Sequence, residues 1–502
     1  MTIRAWGAGK RCSSCISTLL LGGTLVALSG CAVGPNYHPP QTPVAAAFAG
    51  GNQTNLSVAE PVVDWWRGFQ DEELDQLVDR AVTGNHDLRI ATANLLEARA
   101  LRLGTRFDLL PSLNANPSYT DTQFSKAAMF NFPVPDRHLE LYDAGFDATW
   151  ELDLFGRVRR SLEAATANVQ EAAAHRRDML VSLISEVARN YFELRGAQNR
   201  LAVAHQNADN QRETVQITQA RLDGGRGTEL DLARARAQLD STLASIPPLE
   251  TVVARAIHRL SVLTGQPPTA LTAELERPSP IPTLPALVAI GSPDSLLRRR
   301  PDIRAAERAL AAATARIGVA TADLFPRVTF VGNMAFQATR LSGLGQEGSD
   351  AYAFGPGITW AAFDLGHVRA RIRAADTRAE AALANYQRTV LTSLEETEDS
   401  LVEFDRERAR RDYLRASAQA SQTAAQLARE RYDNGATDFL TVLDAERVLY
   451  AAQDQLADSR TRTATALIAV YKSLGGGWEI EHQDPGPSHS ARRILGKAAP
   501  AP

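Results

Sequence analysis

Residues 157–223 contain no proline and a single glycine, Gly196. Within that run Leu162, Ala165, Val169, Ala172, Met179, Leu183, Val187, Tyr191, Leu194, Leu201 and Ala204 recur at mostly three- and four-residue steps. A stripe sustained over this distance predicts one helix that packs coiled-coil fashion along its whole length. At 1.5 Å per residue it reaches roughly 100 Å, far more than a globular domain needs. The run stops at RLDGGRGTELDLARAR (221–236), and a second helical pattern follows over about 228–264. Gly225 suits the left-handed position after a helix end. Thr228, with Asp231 three residues on, reads as the cap of a returning helix. The chain therefore predicts a long helical hairpin with its tip near Gly225.

The same pieces occur twice, and an internal repeat constrains the fold before anything else does. RYDNGATDFLTVLDAE (431–446) repeats the hairpin tip 210 positions later, with Gly435 for Gly225 and Leu440 for Leu230. WELDLFG (150–156) returns as WAAFDLG (360–366), and DLLP (108–111) as DLFP (323–326). Each half reads in one order. An Ala-rich helix (about 86–108; about 301–324) stops before Pro111 or Pro326. Two strand-like stretches follow, then a very long helix (about 157–222; about 367–432), the Gly break, and a second long helix (about 228–264; about 438–474).

In AGFDATWELDL (144–154), Phe146, Ala148, Trp150, Leu152 and Leu154 alternate with Gly145, Asp147, Thr149, Glu151 and Asp153. RVTFVGNMAFQA (327–338) sets Val328, Phe330, Met334 and Phe336 on one side. Such segments have the length and alternation of a tilted transmembrane strand, though a half-buried soluble sheet alternates in the same way. Four strands are too few to close a barrel, and open edges are not tolerated in lipid. If these strands span a membrane, several chains must pool them.

Composition removes other classes. Of 502 residues 44% are hydrophobic and 22% charged, so the chain can bury a core and is not of a disordered type. A net charge of −4 leaves no basic stripe for nucleic acid. All three cysteines, Cys12, Cys15 and Cys31, fall at the start, so the remainder has neither disulfide nor Cys-based metal site. No HExxH, no GxSxG and no clustered histidines mark a catalytic centre, and no cofactor or metal is expected. Arg4, Lys10 and Arg11 precede an apolar stretch, Ile16 to Leu28, too short for a membrane span. Leu28-Ser29-Gly30-Cys31 then resembles the lipobox of bacterial lipoproteins. That likeness implies cleavage before Cys31, lipidation of Cys31 and, because Ala32 rather than Asp follows, sorting to the outer membrane.

Four further blocks, in order, carry a closer resemblance: CAVGPNYHPP (31–40), WWRGFQDEELDQLVDRAVTGNHDLRIATA (65–93), RRRPDIRAAERALAAATARIGVATADLFP (298–326) and LGGGW (474–478). Over roughly 31–478 the chain resembles the outer-membrane efflux ducts of tripartite pumps, TolC-like, in their NodT-like lipoprotein branch. The resemblance implies a mainly α fold with a transmembrane β part. Three chains of four strands would form a 12-stranded barrel, continued by a coiled-coil-like periplasmic tunnel. The implied division is a signal peptide (1–30), a lipidated segment with an equatorial helix (31–85), a first repeat (86–265), a Pro-rich equatorial linker (266–300), a second repeat (301–478) and a flexible tail (479–502). The implied partners are two further copies, a periplasmic adaptor, an RND-type inner-membrane transporter and outer-membrane lipid in a Gram-negative cell. Type I protein secretion and a pore-less periplasmic scaffold remain the alternatives.

The resemblance also assigns residues. Leu440 and Asp444 would ring the tunnel constriction, and three Asp444 carboxylates around one axis would repel one another and attract cations. Gly225, Thr228, Leu230, Asp433 and Gly435 would form the tips that meet the adaptor. Trp150, Phe330 and Trp360 would face lipid. Some relatives carry Arg at the position of Asp433, which cannot donate the same ion pair.

Overall fold

The computed structural model describes residues 32–51, 56–125, 127 and 138–479. The signal peptide, Cys31 and all of the C-terminal tail except Glu479 lie outside the described residues. Helices dominate. The chain runs through α1 (Glu72–Gly84), α2 (His86–Phe107), β strands β2 (Ser112–Ala115), β3 (Ser118–Gln123) and β4 (His138–Leu152), then α3 (Arg157–Asp223), α4 (Glu229–Ala244), α5 (Ile246–Leu263) and the single turn α6 (Thr272–Leu275). It continues through α7 (Pro293–Arg299), α8 (Pro301–Ala322), β6 (Arg327–Ala338), β7 (Asp350–Thr359), α9 (Leu365–Asp433) and α10 (Phe439–Ser473). Two-residue strands β1 (Leu56–Ser57) and β5 (Val288–Ala289) pair in parallel.

The two expected long helices are present at 67 and 69 residues. The expected single helix over 228–264 is corrected to two, with a break at Ser245. Pro247 and Pro248 lack an N–H, and their rings crowd the preceding turn, so α5 starts afresh with proline in its first turn. The corresponding helix α10 has no proline and runs unbroken for 35 residues.

Two compact units form, and neither is one of the sequence repeats. The first takes the chain up to Pro40 together with Leu95–Glu171 and Ala306–Tyr386. The second takes Gln41–Asn94, Ala172–Ala305 and Gln387–Pro502.

The first unit holds the sheet, ordered β2–β4–β6–β7 with β3 also on β4. β2 and β3 are one strand interrupted at Asn116-Pro117. Both pair antiparallel with β4 in an unbroken register, Ser112 opposite Thr149 and Ser118 opposite Asp143. The chain thus supplies four antiparallel strands, as the fold class requires, and its two outer strands each pair on one side only.

Register sorts most of the side chains, the exceptions being Val331, Leu139 and Leu141 on the polar face and Asp121, Glu140 and Asp350 on the aromatic one. Phe146, Met334 and Tyr352 lie across one row, and Trp150, Phe330 and Pro356 across another, on the same face. That face also carries Leu113, Tyr119, Val328, Phe336, Phe354 and Ile358, all apolar or aromatic. The opposite face carries Ser112, Asn114, Asp143, Asp147, Thr149, Glu151, Arg327, Thr329, Asn333 and Gln337. The apolar residues are bare in the single chain: Phe146 is 57% exposed, Met334 65% and Ile358 71%. An apolar face of this extent demands a cover. Among the described residues no helix is long and apolar enough to cross a membrane.

The expected lipid-facing aromatics sit on this face but at its foot. The indole of Trp150 donates to the Leu109 carbonyl at 3.0 Å, and that of Trp360, one residue past β7, to the Leu324 carbonyl at 3.0 Å. The repeat thus builds one hydrogen bond twice, with the polar tip of each indole engaged and its apolar body outward, as at a membrane interface.

The second unit buries Trp65, Trp66 and Phe69 of a short 3-10 turn among Phe192 of α3 and Tyr471 of α10, with Trp65 stacked on Tyr471 at 4.9 Å. The lone glycine of α3 marks a close helix contact. A Cβ on Gly196 would stand 2.0 Å from the Thr461 hydroxyl of α10.

The register yields a depth-dependent expectation. Met334→Arg, at mid-sheet on the apolar face, should cost about 2–4 kcal/mol of folding free energy in lipid, and Trp150→Arg at the foot about 0–1 kcal/mol. Asn333→Arg, on the polar face, should be tolerated. Denaturant titration of trimers in bilayers checks this; equal losses for Met334→Arg and Asn333→Arg would invert the face assignment.

Candidate functional site

The tips of the two hairpins are built alike. After α3, Gly225 donates to the Leu222 carbonyl and Arg226 to the Arg221 carbonyl; after α9, Gly435 donates to Tyr432 and Ala436 to Arg431. This pair of bonds closes a helix end around one left-handed residue. Gly225 has φ +66° and Gly435 φ +71°, while a Cβ at either would meet nothing within 4 Å. Glycine is required by the backbone angle and not by crowding.

The returning helices are capped by the same two residue types in opposite order. Thr228 accepts from the Asp231 amide at 3.2 Å at the start of α4, and Asp438 accepts from the Thr441 amide at 3.0 Å at the start of α10. The Thr228 cap follows from the sequence. Asp438 was overlooked, although D-x-x-T is the mirror of T-x-x-D.

Phe439 and Leu443 of α10 are buried against Ala235 of α4, with Val215 and Tyr432 beside them. This apolar contact packs the two tips of one chain side by side. Leu440 and Leu230 take no part in it and are 49% and 57% exposed. Asp444, four residues on from Leu440, lies on the same helical face. It is exposed and accepts from Arg447 at 2.6 Å. Leu440 is therefore no part of the hairpin core, and the Asp444 carboxylate is ion-paired with a cation of its own helix.

Asp433 also has a role of its own. It accepts from Arg221 of the other hairpin at 3.3 Å, and the same guanidinium lies over the Tyr432 ring at 4.1 Å. The cation is on the first hairpin and the anion on the second, and the contact ties the tips within one chain.

Behind the tips the core turns polar. On α3, Asn207, Gln211, Thr214 and Thr218 are all buried at four-, three- and four-residue steps, so the inward stripe continues with hydrogen-bonding groups. Glu446 of α10 is 3% exposed and is met by Arg429 of α9. Arg429 also reaches the Thr214 hydroxyl at 3.4 Å. One Glu446 oxygen and both polar side-chain atoms of Gln211 have no hydrogen-bond partner. Burial pushes the Glu446 carboxyl above its ordinary range, against the opposing pull of Arg429. Among the described residues no group of acidic, histidine or cysteine side chains could hold a metal ion.

A bare-edged, apolar-faced four-stranded sheet joined in one chain to helical hairpins of this length defines an oligomeric outer-membrane channel with a periplasmic part. The chain matches the outer membrane efflux protein family over residues 77–266 and 292–476 and belongs to it. It is 32% identical to outer membrane protein OprJ of Pseudomonas aeruginosa over 465 residues, 92% of this chain and 96% of that one. It is 32% identical to nodulation protein T of Rhizobium leguminosarum bv. trifolii over 454 residues, 90% and 95% of the two chains. Among solved structures it is similar to the outer-membrane channel OprN at a TM-score of 0.84 and 44% identity, covering 89% of this chain and 100% of that one. The chain is thus an exit duct of a tripartite efflux system in the Gram-negative outer membrane, reaching into the periplasm. Its family is trimeric and works with an adaptor and an inner-membrane pump.

The buried carboxyl gives a signed pH dependence. A raised folded-state pKa means that the folded tip binds this proton more readily than the unfolded chain. Its contribution favours folding at acid pH and is lost as pH rises through the raised value. Arg429→Ala removes the counter-charge and leaves Glu446 buried alone. Because Arg429 is half exposed, the loss is moderated to about 2 kcal/mol near neutral pH. It should shrink on acidification as Glu446 protonates. Hydrogen exchange of tip amides at about pH 7 and about pH 5 measures it; a loss unchanged between the two would remove Glu446 from the account.

Proposed function

We propose that the paired tips are the periplasmic gate of the duct. In this reading Leu440 forms an apolar constriction, and Asp444 with Arg447 sets the charge just beside it. The observation that carries it is the split along α10: Phe439 and Leu443 fill the hairpin core, while Leu440 and Asp444 face away from it together. Gly225, Thr228, Leu230, Asp433 and Gly435 are the surface offered to the adaptor, and the pump is of RND type. Trp150, Phe330 and Trp360 meet outer-membrane lipid, and Cys31 carries the acyl anchor. The working divisions are the repeats 86–265 and 301–478, the linker 266–300 and the N-terminal segment 31–85. The chain acts as a conduit with no catalytic step of its own, and the exported small molecules or ions are selected at the inner membrane.

The polar stripe supports movement at this end. On its α3 side this interface presents Thr, Asn and Gln beside a half-solvated ion pair, with Ala208, Val442 and Tyr450 also buried, so separating it costs less than opening a seam of Leu throughout. The Arg221–Asp433 contact is exposed and contributes about 0–1 kcal/mol, enough to bias a closed state and weak enough to release.

Purified trimers in planar bilayers test the gate. Leu440→Ala should raise conductance by widening the constriction. Asp444→Ala should lower cation preference, and Arg447→Ala should raise it by freeing the carboxylate. Unchanged conductance and reversal potential across all three would move the gate elsewhere. Separately, Cys31→Ala should abolish incorporation of a palmitate analogue, and incorporation that persists would take the anchor away from Cys31.

A further inference from the structure

The first described residues of the chain are held in a notch of the first unit. Val33 donates its amide to the Phe155 carbonyl at 3.1 Å, where β4 ends and α3 is about to begin. Arg160, one turn into α3 and 4% exposed, reaches back to the same segment. Its guanidinium donates to the carbonyls of Val33 at 3.2 Å, Gly34 at 3.3 Å and Ala32 at 3.5 Å, and to the Asn36 side-chain oxygen at 2.7 Å. Glu163 neutralises it at 2.8 Å. Gly34 has φ +88° and lies so close to α8 that a Cβ on it would stand 2.5 Å from the Gly318 Cα. Tyr37 then donates its hydroxyl to Glu307 at 2.6 Å and packs on Ala167, Ala311 and Ala312. Elements of both repeats therefore grip this segment through the backbone of residues 32–34 and the side chains of Asn36 and Tyr37.

The grip is built once although the scaffold is built twice. Ala370 stands 210 positions after Arg160, and it is exposed. On the first-repeat helix that answers to α8, the position of Gly318 is taken by Leu103, which is 50% exposed. A buried guanidinium with four acceptors is costly to assemble and is wasted on packing alone, which Ala would satisfy. Its presence at the one junction that receives the N-terminus ties it to what that N-terminus carries.

The geometry points to Arg160 as the positioning residue of the lipid anchor, which it fixes at the foot of the sheet. Ala32 is the direct neighbour of Cys31, so about 3.8 Å of chain separates the clamp from the acylated residue. The segment meets the sheet at Phe155, where the apolar face gives way to helix. The acyl chains therefore enter the bilayer at the rim of the strands, and the anchor sets the depth of the sheet. Two membrane attachments held at a fixed short spacing act as one; the same attachments on a loose tether would act nearly independently. This inference rests on the reading of Cys31 as the acylated residue.

Thiol cross-linking in outer membranes tests it. The chain has no cysteine after Cys31, whose sulfur the acyl group blocks. Val33→Cys with Phe155→Cys, treated with a short bismaleimide, should cross-link in most molecules. Adding Arg160→Ala should lower the yield about tenfold or more, as loss of buried charge-assisted hydrogen bonds predicts, while palmitate labelling stays at the wild-type level. Arg160→Lys should recover only part of the yield, since one ammonium cannot span four acceptors. SDS-resistant trimers should fall in Arg160→Ala and in Cys31→Ala, with the double variant no lower than the lower single. An unchanged cross-link yield, or trimer defects that multiply, would overturn the role of Arg160. A wild-type chain that takes up no label would instead defeat the acylation reading while leaving the cross-link result interpretable.

Discussion

A backbone amide inside a bilayer must find its partner within the protein. The four strands of this chain satisfy that rule internally along β4 and β6. Along β2–β3 and β7 they cannot, because each has only one neighbour. Bare edges in hydrocarbon cost several kcal/mol per unpaired group, so the sheet has no stable existence in lipid as a single copy. Trimer formation is thus a condition for the strands to enter the membrane. The sorted faces follow from the same rule: once the edges are closed, every second residue meets lipid and every other one meets water.

The helices answer to a different constraint. In water a hairpin of this length is stable only if it buries a stripe along its whole run. The upper part of that stripe is Leu, Val, Tyr and Ala. Towards the tip the same spacing brings Asn207, Gln211, Thr214 and Thr218 inward, against Arg429 and Glu446. The chain thus keeps the helical register while reducing the apolar area that holds it. Stability graded in this way lets one end of a continuous helix move while the other stays fixed. The Gly196 contact with Thr461 and the stacked Trp65 and Tyr471 belong to the fixed part.

Much of this was legible because periodicity survives translation into structure. The strand alternation from Phe146 to Leu152 carried over unchanged, as did the proline-free runs and the left-handed glycines 225 and 435. The break at Ser245 was legible in Pro247-Pro248 but was overridden by the expectation of a long partner helix. The polar stripe is invisible to apolar periodicity, which ends at Ala204, because the spacing continues in other residue types. The role of Arg160 and the partner of Asp433 could not be read. Their partners lie more than 120 and 200 positions away in sequence, and nothing in local pattern marks a cation that will face a carbonyl.

Duplication explains which features come in pairs and which do not. Features that serve the scaffold are doubled. Each indole finds the carbonyl at the end of the preceding helix, each tip closes on a left-handed glycine, and each returning helix is capped by one Thr and one Asp. Exchange of those two between Thr228-Asp231 and Asp438-Thr441 leaves the geometry intact, because either side chain can accept from the third amide. Features that serve a single event are not doubled. Only α3 carries a guanidinium where the N-terminus arrives, whereas Arg221 and Asp433 have counterparts in Arg431 and Asp223; what is single is the contact made between them within one chain. A chain built from two similar halves can meet a symmetric ring of neighbours with both, but it has one N-terminus. The unpaired residues are therefore where its particular work is concentrated.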